Sequence, residues 1–299
     1  MKYVLHLVLI SFGCCCYAQK IDKKLEEKIN YTIKAYHGDI GIYVKNLRTK
    51  KIAAVNADSI FPTASIVKVP ILIGVMDKIR RGELIYDSPL TYKDSLLYEG
   101  EDILGSFKND EKILLKKIIM LSLTTSDNTA SLWLQSLAGK GSSINETLDS
   151  LGLKDTRVNS RTPGREKNRT MYGWGQTTPS EMGKIFEMIY DKQIFSPALC
   201  ERMMRCLGRN YWDENEAISQ VPPTIQVFSK NGCVDESRSE VLLVNAPHGP
   251  YIFCIFTKNN KDTSWTHNNE AWTLARRLSK LLWNYFEPHK QWNSALVPD

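Results

Sequence analysis

The segment Phe61-Pro-Thr-Ala-Ser65-Ile-Val-Lys68-Val-Pro70 places a serine and a lysine three residues apart at the head of an apolar run that stops at Lys78, Arg80 and Arg81. A turn at Pro62 followed by Thr63 as N-cap predicts a helix beginning just before Ser65. On a helix, residues three apart share a face, so hydroxyl and amine would lie side by side. An amine held against a hydroxyl away from water loses its proton readily and can act as a base. Backbone N–H groups at the same helix end could stabilise an oxyanion. S-x-x-K is a loose pattern, yet Ser65 is the only serine in the chain with a lysine three residues on. Pro70 is expected to kink the segment, because it removes one backbone bond.

Outward from this segment, the apolar spacing predicts a helix over 21–36, a strand over 40–47 and a hairpin partner over Lys51–Val55. Residues 111–123 read as an apolar helix running into Thr124-Thr-Ser126-Asp-Asn128, with a further helix over 129–137. A short helix over 142–151 would be capped at Ser142 or Ser143. Residues 154–176 lack periodicity, and a loop of that length in a compact domain is usually functional or mobile. Thr177-Thr-Pro-Ser180 opens a helix over 181–190, and another follows over 197–207. Strands over 225–229, 241–244 and 251–256 precede a last helix over 270–286, and the tail from Glu287 reads as disordered. Strands first, helices in the middle, strands and a helix last: this order implies an α+β (α/β) fold, one antiparallel sheet built from both chain ends with an all-helical lobe inserted. As a single catalytic domain over 19–299, the α/β part would take 19–60 and 221–287, the lobe 61–220 and the tail 288–299.

The 299 residues suffice for one large domain, and 42% apolar with 24% charged residues is ordinary soluble composition. A net charge of +6 without an arginine-rich run carries no nucleic-acid footprint. Residues 1–18 read as an export signal: Lys2, an apolar stretch over 4–16 too short for a comfortable membrane span, and Cys16-Tyr-Ala18 in the small-x-small cleavage pattern. A lipoprotein reading, with Cys14, Cys15 or Cys16 lipidated, fits less well with Phe12 just upstream. The expected location is periplasmic or secreted. Cys200, Cys206, Cys233 and Cys254 remain, without metal-ligand spacing, so no metal site is expected; disulfides in an exported chain stay open. No sign of oligomerisation is visible, and a monomer is expected.

Two further motifs belong with Ser65 and Lys68. Ser126-Asp-Asn128 sits at a helix–helix corner and Lys230-Asn-Gly232 follows an apolar strand. Either alone is ordinary: polar residues suit corners, and a lysine at a strand end is usually solvated. In this order and in these settings, S-x-x-K, S-D-N and K-x-G form the motif set of penicillin-recognising serine enzymes. The chain resembles the class A serine β-lactamase family and the wider penicillin-binding group over roughly residues 22–286, including the Thr177-Thr-Pro179 helix start.

That resemblance implies roles. Ser65 would attack an amide carbonyl and become acylated; Lys68 would take its proton; Ser126 would pass a proton to the departing nitrogen. Asn128 would hold the substrate's side-chain amide and help fix Lys68, with Asp127 stabilising the corner. Lys230 would bind the substrate carboxylate or carry protons, with Asn231, Gly232 and Cys233 as further substrate-binding residues. The backbone N–H groups of Ser65 and Cys233 would form the oxyanion hole. No cofactor is implied, and the partner is a small-molecule β-lactam or a cell-wall peptide.

The chain departs from the family pattern twice. Asn231 stands where the family has Thr or Ser. The loop before Thr177 lacks the E-x-x-L-N pattern whose Glu holds the deacylating water; Glu166 is its one acid after Asp155 and becomes the candidate. Hence the expected function is β-lactam hydrolysis through an acyl-serine. The alternatives are a D-Ala-D-Ala carboxypeptidase or penicillin-binding protein, and a penicillin-binding module that does not turn over.

Overall fold

The computed structural model describes residues 20–98, 100, 102–290 and 292. The export signal expected at 1–18 and most of the tail lie outside them. A six-stranded sheet runs in the order Lys20–Ile21, Lys51–Val55, Asp39–Asn46, Tyr251–Lys258, Ser237–Val244, Val227–Val234. The short first strand pairs parallel with Lys51–Val55, and every other pairing is antiparallel. Both chain ends therefore supply the sheet.

Side chains alternate across a strand, and each face carries its own core. Leu242, Val244, Phe253 and Ile255 pack under the helices Lys23–Ile33 and Glu270–Phe286. Val241, Leu243, Ile252, Cys254 and Phe256 face the inserted lobe, where the helix Pro179–Tyr190 lies on the strands. At roughly 25 cal/mol per Å² of apolar surface removed from water, both faces are strong drivers of folding.

The lobe centres on Lys68–Arg80, every residue of which from Lys68 to Asp77 is buried. A helix apolar on all sides can only sit inside a bundle. Pro70 falls in the first turn of this helix, where a missing N–H is least costly, so the expected kink is replaced by a change of helix type: Ala64–Val67 is a 3₁₀ turn. Thr63 does not cap it; its hydroxyl is buried without a partner. The lobe also holds strands as well as helices, a three-stranded sheet of Phe61–Pro62, Gly175–Thr177 and Arg157–Val158 and a pair formed by Pro89–Thr91 and Lys112–Leu114. The stretch 154–176 is thereby more ordered than its lack of periodicity predicts, with a helix at Glu166–Tyr172. Gly139, not Ser142 or Ser143, precedes the helix Lys140–Ser150. Glu287 does not begin a disordered tail: it is buried, accepting from the His248 backbone N–H at 2.7 Å.

Candidate active site

The catalytic candidates come from three elements that meet where the sheet's edge touches the lobe. Ser65 lies in the 3₁₀ turn after Ala64, whose φ of 43° is a strained value for a residue with a Cβ. Ser126 follows a π-helical turn, Leu121–Thr125, and itself adopts the left-handed region at φ 62°. Lys230 and Gly232 lie in the edge strand Val227–Val234.

Strand alternation explains the K-x-G pattern. Lys230 and Gly232 point to the lobe, while Asn231 and Cys233 point to the other face. A Cβ on Gly232 would stand 2.4 Å from the Thr63 carbonyl oxygen and 2.8 Å from the Ser65 nitrogen. Backbone is all that fits there. This close approach is what brings the strand's amides beside the nucleophile, as an oxyanion hole from Ser65 and Cys233 requires.

Lys68 is wholly buried and its Nζ lies 2.8 Å from Ser65 Oγ, 2.9 Å from Asn128 Oδ1, and 2.7 and 3.0 Å from the carbonyl oxygen and Oγ of Ser126. In its neutral form this amine keeps a lone pair 2.8 Å from the Ser65 hydroxyl and can accept its proton. Burial holds the Lys68 pKa well below the usual lysine range, and the Lys230 charge adds to it. Lys230 is also fully buried; burial lowers its pKa to about 8. Its Nζ reaches Ser126 Oγ at 3.1 Å, so the Ser126 hydroxyl bridges both lysines.

Asp127 anchors the corner, accepting from Ala130 N at 2.7 Å and Leu104 N at 2.8 Å. Asp102, which sequence reasoning did not single out, accepts from the backbone of Asn128 and Thr129 at 2.9 and 2.7 Å and so caps the same helix. Asn231 does not stand free for a substrate. Its Oδ1 accepts from Lys230 at 3.1 Å and its Nδ2 donates to Glu216 Oε1 at 2.8 Å. Across the strands Asn231 pairs with Glu240, whose carboxylate accepts from Ala217 N at 2.6 Å. Burial raises the pKa of both Glu216 and Glu240, that of Glu240 well above the carboxylate range. Both were missed because the strand was expected to start at Val241, and because Glu216 lies outside every motif and element read from the sequence. Cys200, Cys206, Cys233 and Cys254 all carry free thiols, and burial pushes that of Cys233 up to about 12.

Ser65 opens onto two cavities. One, of about 540 Å³, is bounded by Tyr98, Asn128 and the loop residues Met171, Tyr172, Gly173 and Trp174. The other, of about 850 Å³, adjoins Ser126, Asn231 and Gly232. Glu166 reaches neither. It begins the helix Glu166–Tyr172, accepts from Gly164 N at 3.1 Å and lines a separate groove with Lys140, Arg161 and Arg169. The structure thus gathers Ser65, Lys68, Ser126, Asn128, Lys230, Asn231, Gly232 and Cys233 and leaves Glu166 outside. Among the described residues, no group of His, Cys, Asp and Glu could hold a metal ion.

The model of the Beta-lactamase enzyme family matches residues 24–286. Beta-lactamase VEB-1 of Pseudomonas aeruginosa is 24% identical, over 96% of this chain and 98% of that one. The solved structure of PBP-A superposes with a TM-score of 0.79 at 21% identity, covering 90% of this chain and 98% of its own. A class A beta-lactamase of Bacteroides cellulosilyticus superposes with a TM-score of 0.78 at 20% identity, covering 89% and 98%. With a family model spanning nearly all of the described residues and the same fold in these neighbours, the chain belongs to the β-lactamase enzyme family, as a class A β-lactamase-like serine hydrolase.

Proposed function

We propose that this chain, exported across the inner membrane as a monomer, opens β-lactam rings by acylation of Ser65, and that its activity confers resistance to such antibiotics. Neutral Lys68 takes the Ser65 proton as Oγ attacks the lactam carbonyl. The oxyanion forms against the backbone N–H groups of Ser65 and Cys233. Ser126 then gives its proton to the ring nitrogen as the C–N bond breaks, and Lys68 returns the proton to Ser126. The acyl-serine remains, and water must hydrolyse it. The observation that carries this reading is the Ser126 hydroxyl held between two buried lysines, both with lowered pKa values. The export signal read over residues 1–18 supports the location.

A second reading, a penicillin-binding protein with a long-lived acyl-enzyme, draws support from the loop: it offers Ser65 Met171, Tyr172, Gly173 and Trp174, and turns Glu166 away. Intact mass followed over time with benzylpenicillin, alongside hydrolysis of a chromogenic cephalosporin, separates the two. Many turnovers without a lasting adduct establish the hydrolase. An adduct persisting on Ser65 establishes the penicillin-binding protein, and a folded protein that shows neither overturns both.

A further inference from the structure

Asn231 stands where the family has Thr or Ser, and its amide is long enough to join two charged groups. Lys230 Nζ donates to Asn231 Oδ1 at 3.1 Å, and Asn231 Nδ2 donates to Glu216 Oε1 at 2.8 Å. One orientation of the amide serves both ends. Turned over, it would set its NH2 against an ammonium and its oxygen against a carboxylate. A Thr or Ser hydroxyl has a single oxygen and would have to meet both partners at one point. Lys230 Nζ also meets Ser126 Oγ and the Asn231 carbonyl oxygen, so it has three oxygens, the number an ammonium can serve. Lys230 is fully buried and Glu216 is 7% exposed, so the charges at the two ends of this chain are screened little.

The two acids of this wall have separate tasks. Glu240, cross-strand from Asn231, accepts from the backbone N–H groups of Ala217 and Ile218 at 2.6 and 3.3 Å and so caps the 3₁₀ turn Ala217–Gln220. Glu216 precedes that turn without capping it. Its carboxylate is left for Asn231, with one weaker bond from Asn215 N at 3.2 Å. Glu216 lines the cavity onto which Ser65 and Ser126 open, where solvent supports its charge. Glu240 lies off that cavity, burial raises its pKa well above the carboxylate range, and it is the neutral member. The other charged or titratable groups nearby do not supply a counter-charge to Lys230. Lys68 opposes it across Ser126, while Asp102 and Asp127 act on Lys68 at the corner. Cys233, on the same strand, is a thiol pushed up to about 12, and Arg238 faces it from the next strand. Arg276 and His267 stand behind Glu216, bonded to Asn215.

We propose that Glu216 is a positioning residue for proton delivery: through Asn231 it holds Lys230 as an ammonium against the Ser126 hydroxyl. It thereby extends to higher pH the range over which Ser126 can carry the proton to the departing nitrogen. The effect on acylation rests on the acyl-serine reading above; the coupling of Glu216 to Lys230 does not.

NMR titration of the mature protein carrying lysine labelled with carbon-13 at Cε tests the coupling without substrate. The Lys230 resonance, assigned by its loss in Lys230→Arg, titrates near pH 8 in the native protein. Glu216→Gln and Glu216→Ala are two neutral replacements of different size. Each lowers that midpoint by about one pH unit, because a nearby opposite charge that favoured the ammonium is gone. The shift is the same in both, whatever each does to Tm, because charge and not shape sets it. Glu240→Gln, which removes a neutral carboxyl, leaves the midpoint in place. A midpoint unmoved by loss of Glu216, one that follows Tm instead of charge, or one moved equally by Glu240→Gln overturns the proposal. Ser65 acylation by benzylpenicillin, read by intact mass against pH, then tests the role. Its falling limb moves down with the Lys230 midpoint in Glu216→Gln, which costs about fivefold in rate at pH 8 for a shift of one unit. A limb that stays while the midpoint moves overturns the role in acylation. If benzylpenicillin never acylates Ser65, the serine-hydrolase reading fails while the lysine titration still decides the coupling.

Discussion

Lys68 and Lys230 differ in what their protons are for, and this fixes a pH dependence. Lys68 serves as a base only when neutral, and burial together with the Lys230 charge keeps its pKa well below that of a free lysine. Acylation therefore rises with pH as Lys68 loses its proton. Lys230 supports Ser126 while charged, and burial sets its pKa at about 8. Acylation falls again as the pH passes that value. The two amines share one hydroxyl, so the limbs of the bell report the pair rather than either residue alone. The second-order rate of Ser65 acylation, measured against pH, is expected to be bell-shaped with its falling limb near pH 8. Lys230→Arg keeps the charge at every accessible pH and should remove that limb, whatever the rate it leaves. A falling limb unchanged in the arginine variant would assign the second titration elsewhere.

At the scale of elements, the proposed nucleophile Ser65 and proposed proton carrier Ser126 are both set by backbone that regular helices do not supply. Ser65 needs a 3₁₀ turn and Ser126 a π turn ending in the left-handed region. Local patterns predict α-helical spacing, so the long helices were legible: 270–286 and 197–207 were expected at their observed bounds. The turns that aim the chemistry were not, because their stabilisation is tertiary. Asp127 shows how. Its carboxylate caps the helix Asn128–Leu137 through Ala130 N and latches the Leu104 backbone to the corner. Burial raises its pKa, so both accepted bonds are needed to keep it a stable acceptor. Asp127→Ala should cost about 1–2 kcal/mol. That lowers Tm by about 2–4 °C per kcal/mol in a chain of this size. The same change should slow acylation, because Ser126 is the next residue. Asp127→Asn, which keeps one acceptor, should recover part of both effects in thermal denaturation and mass kinetics. An alanine variant with native Tm would show that Asp102 caps the helix unaided.

Across the whole molecule, the sheet brings residues from the far end of the chain to a helix near its start, and short motifs carry that information only jointly. Ser65, Ser126 and Lys230 were legible as one site because three motifs occurred in one order; their separations in sequence say nothing of the distances. The acidic wall was not legible, since Glu216 and Glu240 meet across a strand pairing that no local pattern encodes. Glu166 lies apart from Ser65 for the complementary reason. Being the only acid in the right part of a loop says nothing about which way the loop faces, and the ties beneath it decide that. Arg165 donates to Asn159 Oδ1 at 2.7 Å and to Gln176 Oε1 at 2.8 Å, while Asn168 shares the same Gln176 oxygen at 2.9 Å. These bonds pin the inner side of the Glu166–Tyr172 helix to the small sheet and turn Glu166 outward. In this arrangement the carboxylate reaches no cavity next to Ser65, where the water that attacks the acyl-serine has to be held. Glu166→Gln is therefore expected to leave the rate of acyl-enzyme decay after a benzylpenicillin pulse within about twofold of native, since substitutions of exposed residues change little. Arg165→Ala, which releases the loop from Asn159 and Gln176, should change that decay instead. A large slowing in the glutamine variant, with acylation intact, would mean that the loop swings Glu166 to the ester during turnover, and the deacylating base would then be the one residue that the family pattern first suggested.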